Sequence, residues 1–600
     1  MNLTRFTLTL KRLRAVGLWL SFVASIICLA SLVLYGGIYH TPASKRLVLL
    51  VIEGCQVVFI VNILYNIIFL LRSTQRNNRA LKWILDIATL ITALPLLYPH
   101  PENPWIPWLE HILYSHWFVF TILGIYSVFE FSYGVSRLLG RRTNPSLLLA
   151  SSFLFFIIIG ALILMLPRCT YNGISFVDSL FVATSAVSIT GLTTVDISQV
   201  FTPFGIAILA ILIQIGALGV LTFTSFFALF FSGNTTIYNQ LMVKDMIYSK
   251  KANALLPTLL YVFLFTLTIE IAGAVGIYLS LPSDFPLDTI EHRLLFSGFQ
   301  SLSAFCNAGF TWLQDGMSNP TLMGSNQSIY VVVGTLVMLG GIGFPILVNV
   351  KNIILEYFRR LRTFLFHTRP GKRAELHLFD VNTKVVLITS LLVTVASIGL
   401  FLLFEWNNTL AGMDFGTKLA QSYFNAFVPR SSGFASVNPA DFMPVTLIMT
   451  LFLMWMGGSS QSTAGGIKIN TFAAMLLNLK SVITEKKYIT VFKRTISVGS
   501  IRRANAVVGL SILSYFIFAI ILVGLEPELS VRSLLFEAAS ALFTVGSSLG
   551  ITPDLCVGSK MLLCVAMFIG RVGLLSLLMG LATGRHSDNR IFPYDNIIIN

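Results

Sequence analysis

Residues 176–193 read FVDSLFVATSAVSITGLT, a semi-apolar segment that leads into a short polar loop around Gly191. Three further loops of this kind follow, and successive loop glycines lie 118, 124 and 113 residues apart, at Gly309, Gly433 and Gly546. An aromatic residue stands ten positions before each glycine, and a Ser-Ala pair stands six and five positions before three of them. Because self-similarity at a nearly fixed spacing indicates repeated structural units, the chain is predicted to contain four copies of one unit.

The composition is that of a membrane protein. Hydrophobic residues make up 55% of the 600 residues, charged residues make up 11%, and the mean hydropathy is +0.80. Since a helix needs about 20 apolar residues to cross a hydrocarbon core of about 30 Å, we predict an all-α polytopic membrane protein. The predicted apolar segments are 15–37, 47–71, 82–98, 115–136, 145–167, 202–231, 256–281, 328–350, 382–405, 443–478, 504–524 and 559–583.

The basic residues fix the expected orientation. If the N-terminus is cytoplasmic, 31 of the 41 Lys and Arg residues fall in cytoplasmic segments, as the positive-inside rule requires. The net charge of +15 is therefore explained by topology, and no role in nucleic-acid binding is expected. The apolar segments show no dense His/Asp/Glu constellation on facing spans, so we do not expect an enzyme.

The segment before each loop glycine is too short to cross the bilayer and is predicted to be a re-entrant half-helix. Non-helical backbone at membrane depth is tolerated where it lines water, so the loops predict one shared pore built from four repeats of span, half-helix, loop and span. Asp178, at the start of the first half-helix, is interpreted as an ordinary helix cap. The predicted domains are an N-terminal membrane domain of about four spans at 1–144 and pore repeats at 145–255, 256–380, 381–503 and 504–600, the last with the C-terminal tail.

Glycine in every loop has a physical reason. A cation filter replaces the hydration shell of the ion with backbone carbonyls, which requires conformations that glycine adopts without steric cost. The predicted filter residues are Thr190, Gly191, Leu192, Asn307, Ala308, Gly309, Ser431, Ser432, Gly433, Thr544, Val545 and Gly546.

Two charged residues stand inside apolar segments. Lys468 lies in 443–478, a stretch longer than one span whose small and polar residues predict a loop within the membrane, and Arg571 lies in 559–583. A charge at this depth usually faces a water-filled path or a partner, although either side chain could instead snorkel or pair with an acidic neighbour. Structural hydrogen bonding is the expected role of Glu270, Glu405 and Glu537.

Several ordered motifs carry a family resemblance: 176–181 with 190–193, 214–219, 303–310, 340–343, 462–468 and 570–573. On these motifs, the chain from about residue 145 to 600 resembles the bacterial membrane subunits of the Trk/Ktr/HKT superfamily of potassium transporters. The resemblance implies potassium uptake, and Gly191 favours potassium because plant relatives with serine in that place prefer sodium. It also implies that the loop is a gate below the filter and that Arg571 contacts it. The implied gate residues are Gly457, Gly458, Ser462, Thr463, Ala464, Gly465, Gly466, Lys468 and Arg571.

The resemblance extends to partners. It implies a homodimer in the bacterial inner membrane, docked on a cytoplasmic ring of nucleotide-binding regulatory subunits. The chain shows no phosphate-binding Gly-Lys-Ser/Thr loop, so a nucleotide is expected only on that partner, and potassium, or sodium, is the only bound ion expected here. A sodium-coupled potassium symporter and a less selective monovalent cation transporter stay open as alternatives.

Residues 1–144 match little of this pattern, and a peripheral scaffold is the default expectation. Cys169 and Cys556 both fall on the predicted outer side, where they could pair in an oxidising compartment. Two unpaired residues are favoured over a disulfide.

Overall fold

The computed structural model describes residues 2–39, 41–71, 80–98, 112–138, 145–219, 255–282, 285, 289–324, 327–365, 380–486 and 488–581. In this part of the chain the fold is helical apart from one short hairpin, in which β1 (Thr490–Val491) pairs antiparallel with β2 (Arg494–Thr495). The helices of eight or more residues are α1 Asn2–Gly37, α2 Pro42–Leu71, α3 Ala80–Ile91, α4 His116–Leu138, α5 Pro145–Leu164, α6 Phe176–Ser188, α7 Pro203–Leu218, α8 Leu255–Ser280, α9 Ile290–Phe305, α10 Ser328–Ile342, α11 Phe344–Leu365, α12 Val381–Glu405, α13 Phe415–Phe427, α14 Pro444–Trp455, α15 Ile469–Ile483, α16 Val498–Leu525, α17 Val531–Leu542, α18 Val557–Val572 and α19 Leu574–Leu581. Shorter helical turns are Leu94–Leu97, Ile197–Val200, Gly316–Ser318, Pro320–Met323, Val428–Arg430, Pro439–Asp441 and Thr552–Asp554.

The N-terminal domain is a bundle of α1 to α4. Side-chain hydrogen bonds join its helices at membrane depth, because Asn62 Nδ2 donates to Ser21 Oγ at 2.6 Å and Gln56 Nε2 donates to the Thr92 carbonyl at 2.7 Å. In a bilayer, burial of apolar surface does not drive helices together, so such polar contacts contribute to their association.

From α5 onward, the described residues repeat one unit four times, in the order outer helix, half-helix, loop and inner helix. The half-helices α6, α9, α13 and α17 have 12 to 16 residues, which is too short to span a bilayer. The predicted re-entrant half-helices are confirmed as helices of this length.

The start of α6 corrects one detail of the sequence interpretation. Ser175 is the N-cap, since its side chain accepts from the Asp178 N–H at 3.1 Å, and Asp178 lies in the first turn of the helix. The Asp178 carboxylate instead pairs with Lys560 Nζ of α18 at 3.0 Å. The half-helix of the first unit is thereby tied to the inner helix of the fourth.

In three of the four units, the inner helix packs tightly against the end of the half-helix of the same unit. A Cβ added at Gly216, Gly340 or Gly570 would lie under 3.0 Å from the carbonyl oxygen of the residue four positions before the loop glycine. These carbonyls belong to Val187, Phe305 and Leu542.

The same inner helices end at a glycine with positive φ, namely Gly219 (73°), Gly343 (92°) and Gly573 (84°). The predicted continuous segments 328–350 and 559–583 are therefore wrong in this respect, and the helix axis turns by 102° between Ser328–Ile342 and Ile346–Phe358. In the third unit a longer interruption, residues 456–468, separates α14 from α15. We call these residues the intramembrane loop.

Five described helices are long and apolar enough to cross a membrane, or six if the bent pair counts as one span. The other predicted segments contain shorter or broken apolar helices, and the second half of 202–231 lies outside the described residues. Helix α16 begins at Val498, with Ser497 as its cap, so the outer helix of the fourth unit starts before the predicted boundary at 504.

Candidate functional site

The four glycine loops follow the half-helices, and three of them share one backbone path. The N–H groups of Thr190, Ala308 and Val545 donate to the carbonyls of Ser185, Ser303 and Ser540, each at 2.8 Å. These amides are directed back into the half-helices, so the loops leave them in the same way.

All four loop glycines have positive φ: 94° at Gly191, 74° at Gly309, 64° at Gly433 and 96° at Gly546. A Cβ added at any of them would lie within 2.5 Å of a carbonyl oxygen in the next loop. The contacts run from Gly191 to Ala308, from Gly309 to Ser432, from Gly433 to Val545, and from Gly546 back to Thr190. The loops therefore form a ring in which each glycine lies against the neighbouring loop's backbone. We call this arrangement the glycine ring.

Hydroxyl groups hold two of the loops. Ser185 Oγ accepts from the Gly191 N–H at 2.9 Å, and Ser540 Oγ accepts from the Gly546 N–H at 3.0 Å. These serines come from two of the three Ser-Ala pairs of the repeat, so at those two positions the recurring serine has a structural reason.

The residues predicted for the first loop of the filter are shifted by one position relative to those predicted for the other three loops. Ile189, with φ of 59°, occupies the place of Asn307 (60°) and Thr544 (50°), two residues before the loop glycine. The predicted set begins at Thr190 and includes Leu192, which lies one residue beyond the glycine. A left-handed conformation is rare for a β-branched residue, and no residue type is common to these three positions.

The third loop departs from the other three. Its half-helix ends at Phe427, a turn of 3-10 helix covers Val428–Arg430, and Ser431 has an extended φ of −169°. Arg430 is 3% exposed, and its guanidinium donates to Thr394 Oγ1 at 3.2 Å. This buried cation beside the loop was not among the predicted site residues, although a charged residue at membrane depth is a usable signal.

The intramembrane loop is closed at its base by backbone hydrogen bonds. The Gly457 N–H donates to the Ile467 carbonyl at 3.0 Å, and the Ile467 N–H donates to the Trp455 carbonyl at 3.0 Å. The Ile469 N–H donates to the Gly458 carbonyl at 2.9 Å. The two ends of the loop are thus held together.

The tip of the loop contacts the second and fourth units directly beside their glycine loops. The Ser459 N–H donates to the Gly341 carbonyl at 2.9 Å, and Thr463 Oγ1 donates to the Phe305 carbonyl at 3.2 Å. A Cβ added at Gly465 would lie 2.6 Å from the Phe543 carbonyl oxygen. Its small residues therefore let the loop fit closely against the half-helix ends.

Arg571 joins the intramembrane loop to the first unit. Its Nη1 donates to the Thr463 carbonyl and its Nη2 to the Gly216 carbonyl, both at 2.8 Å. Lys468, which lies at the start of α15, donates from Nζ to the Ala464 carbonyl at 2.5 Å. The contact between Arg571 and the loop that the resemblance implies is present.

The three glutamates have the hydrogen-bonding roles expected from the sequence. Glu270 accepts from Cys306 Sγ at 3.7 Å, and Glu405 accepts from the Met443 N–H at 2.9 Å and from Thr446 Oγ1 at 2.5 Å. Glu537 is fully buried behind the fourth loop, where it accepts from Ser548 and from Thr552 Oγ1, the latter at 3.1 Å. Cys169 and Cys556 are free thiols, so the interpretation of two unpaired residues is confirmed.

Comparison with known proteins places residues 136–590 in the family model "TrkH: Cation transport protein". Relatives include the Ktr system potassium uptake protein B of Bacillus subtilis (33% identical over 454 residues, 75% of this chain and 95% of the relative) and the potassium/sodium uptake protein NtpJ of Enterococcus hirae (31% over 469 residues, 76% and 98%). The crystal structure of the potassium transporter TrkH from Vibrio parahaemolyticus has the same fold, with a TM-score of 0.58 at 16% identity, over 84% of this chain and 99% of that chain. Residues 1–135 lie outside the family match.

Proposed function

Because this chain belongs to the TrkH family of cation transport proteins, we propose that it takes potassium up across the bacterial cell membrane through the glycine ring. The observation that carries this proposal is the succession of four backbone carbonyls, one per unit, each against the glycine of the neighbouring unit. They belong to Thr190, Ala308, Ser432 and Val545.

In this proposal the loops are the selectivity filter. Carbonyl oxygens replace the water that a potassium ion loses on entry, and their number and spacing set the preference for one ion over another. The glycines allow four backbones to meet around one axis, and Gly191 supports a preference for potassium. The filter consists of the predicted residues together with Ile189.

The intramembrane loop is the gate. It is held against the second and fourth half-helices, and Arg571 and Lys468 place two positive charges against its Thr463 and Ala464 carbonyls. Like charges repel strongly where water is excluded, so this arrangement opposes the passage of a cation until the loop moves. Opening requires the loss of the bond between Arg571 and the Thr463 carbonyl.

A second candidate function is potassium transport that is coupled to sodium, or transport that is less selective and carries sodium as well as potassium. The name of the Enterococcus relative includes both ions, and the difference between the two functions rests on ion coupling rather than on the fold. Measuring potassium uptake with and without sodium separates them.

The assembly we infer is a homodimer in the inner membrane, with a cytoplasmic N-terminus and a cytoplasmic ring of nucleotide-binding regulatory subunits. The basic segments 351–384 and 480–503 support docking on that side, and the second contains the β1–β2 hairpin. The nucleotide belongs to the partner. The family is one of cation transporters, which is not an enzyme class.

The test is uptake of potassium by a bacterial strain that lacks its own potassium uptake proteins but keeps their regulatory subunits. Wild type is compared with Gly191→Ser and with Gly173→Ser, a matched control whose glycine also has positive φ (80°) but whose added Cβ meets nothing within 4 Å. We expect potassium-selective rescue by wild type and by the control, and increased sodium uptake relative to potassium in Gly191→Ser. Selective movement of a different solute by wild type would overturn the proposal.

A further inference from the structure

A cavity of about 300 Å³ lies behind the intramembrane loop, between the outer helix α16 and the inner helix pair α18 and α19 of the fourth unit. The wall from α16 consists of Val507, Leu510, Ser511 and Ser514, whose spacing places them on one face of a helix. Leu513 and Ile520, on the opposite face, are exposed. The cavity is therefore on the outer side of the inner helix and is separate from the glycine ring.

The lining is apolar with a cationic end. Lys468 and Arg571 both line the cavity, together with apolar side chains and hydroxyl groups. All lining residues belong to the described part of the chain, and none of them is acidic. Two cations at membrane depth without a carboxylate in the same cavity are costly unless an anion accompanies them.

Both cations keep donors available. Lys468 donates once and Arg571 twice to backbone carbonyls, whereas an ammonium has three N–H donors and a guanidinium has five. The remaining donors can bind an oxyanion without breaking the contacts to the intramembrane loop.

We propose that this cavity binds an acidic amphiphile, with its carboxylate or phosphate at Lys468 and Arg571 and its hydrocarbon chain along α16. At about 30 Å³ for each water-sized group, the cavity has room for roughly ten non-hydrogen atoms, which suits an anionic group and the first part of one acyl chain. If the chain has the proposed function, such a ligand would neutralise the charges beside the gate and increase cation flux.

Binding is tested on the full chain, purified and placed in nanodiscs of phosphatidylcholine. The probe is a photoreactive palmitate analogue, and the competitors are oleate, phosphatidylglycerol and uncharged oleyl alcohol. Val507→Trp places a large side chain in the cavity, and Leu513→Trp, on the lipid-facing side of the same helix, is the matched control.

We expect saturable labelling of α16 or α18 that is about tenfold weaker in Val507→Trp and unchanged in Leu513→Trp. Displacement by oleate alone identifies a fatty acid, and displacement by phosphatidylglycerol alone identifies an acidic phospholipid. Leu510→Phe, which narrows the cavity more gently, replaces Val507→Trp if that variant unfolds on heating before wild type does.

Labelling that does not saturate, that is equal in the two tryptophan variants, or that oleyl alcohol displaces as well as oleate does would overturn the inference. The readout is binding and does not depend on which ion is transported. Its failure is therefore distinguishable from a failure of the proposed function.

Discussion

Arg571→Ala is expected to open the pathway. The substitution removes two hydrogen bonds of 2.8 Å, to the Thr463 and Gly216 carbonyls, that join the intramembrane loop to the first unit. Hydrogen bonds from a charged group contribute about 1.5–3 kcal/mol each, and the loss is reduced because the cost of burying a charge also disappears. We take a net loss of about 2–3 kcal/mol, which shifts the balance between held and released loop by about 30- to 150-fold.

The assay is rubidium flux into vesicles containing the full chain. We expect Arg571→Ala to raise flux by at least about tenfold at equal protein amounts, since part of the shift is lost if the released loop is not always conducting. Arg571→Lys keeps the positive charge but cannot make both hydrogen bonds in the same way. It therefore separates the effect of charge repulsion on the transported cation from the effect of holding the intramembrane loop.

Lys560→Ala is the control, because it removes a cation from the same helix that pairs with Asp178 and is 14% exposed. A partly exposed pair of this kind contributes about 0–1 kcal/mol, and flux should not change. Equal fluxes in Arg571→Ala and Lys560→Ala would refute the assignment of Arg571 to the gate.

Three further substitutions test the glycine ring and its support. Gly546→Ala should abolish potassium selectivity in a rubidium/sodium flux measurement, because its Cβ collides with the first loop. The control is Gly550→Ala, whose glycine has a similar positive φ (91°) and open space around it, and which should only lower the free energy of unfolding by about 1–2 kcal/mol. Normal selectivity in Gly546→Ala would contradict the glycine ring. Ser185→Ala should lower the free energy of unfolding by about 1 kcal/mol and weaken selectivity. Ser303→Ala changes the equivalent position, where the hydroxyl has no hydrogen-bond partner among the described residues, and should do neither. Glu537→Leu removes the acceptor of the half-buried Ser548 hydroxyl and one of two acceptors of the buried Thr552 hydroxyl, so it should lower the free energy of unfolding by about 1–3 kcal/mol, more than Glu537→Gln. Equal thermal unfolding of the two variants would argue against the hydrogen-bonding role.

The sequence was sufficient for the repeat and for much of the glycine ring, because both depend on spacing. Four glycines stand at nearly equal intervals, and each follows a segment too short to span the bilayer. These two features were enough to predict the half-helices and the loops. The interruption within 443–478 was equally visible, since small and polar residues stand where a span would need apolar ones.

Other features depend on three-dimensional neighbours. Counting back from the loop glycines places Ile189, Asn307 and Thr544 at one position, but their residue types do not reveal that all three have positive φ. In the sequence, Gly343 and Gly573 are ordinary small residues within an apolar segment, and nothing there indicates that a helix ends at each of them. Ser175 rather than Asp178 caps α6, because the helix begins at Phe176 and Asp178 lies in its first turn. The Asp178 carboxylate pairs with a lysine that is 382 residues away in the chain.

The order of contacts in the glycine ring has a consequence for biosynthesis. Thr190 meets its partner only when Gly546 has been made, and 356 residues separate the two. At about 5–20 residues per second, translation of this interval takes about 20–70 s. During that time the first loop sits in the membrane with one side uncovered. A ribosome that stalls just after the third unit, near residue 497, would leave three units and a gap, open to lipid, where the fourth unit belongs.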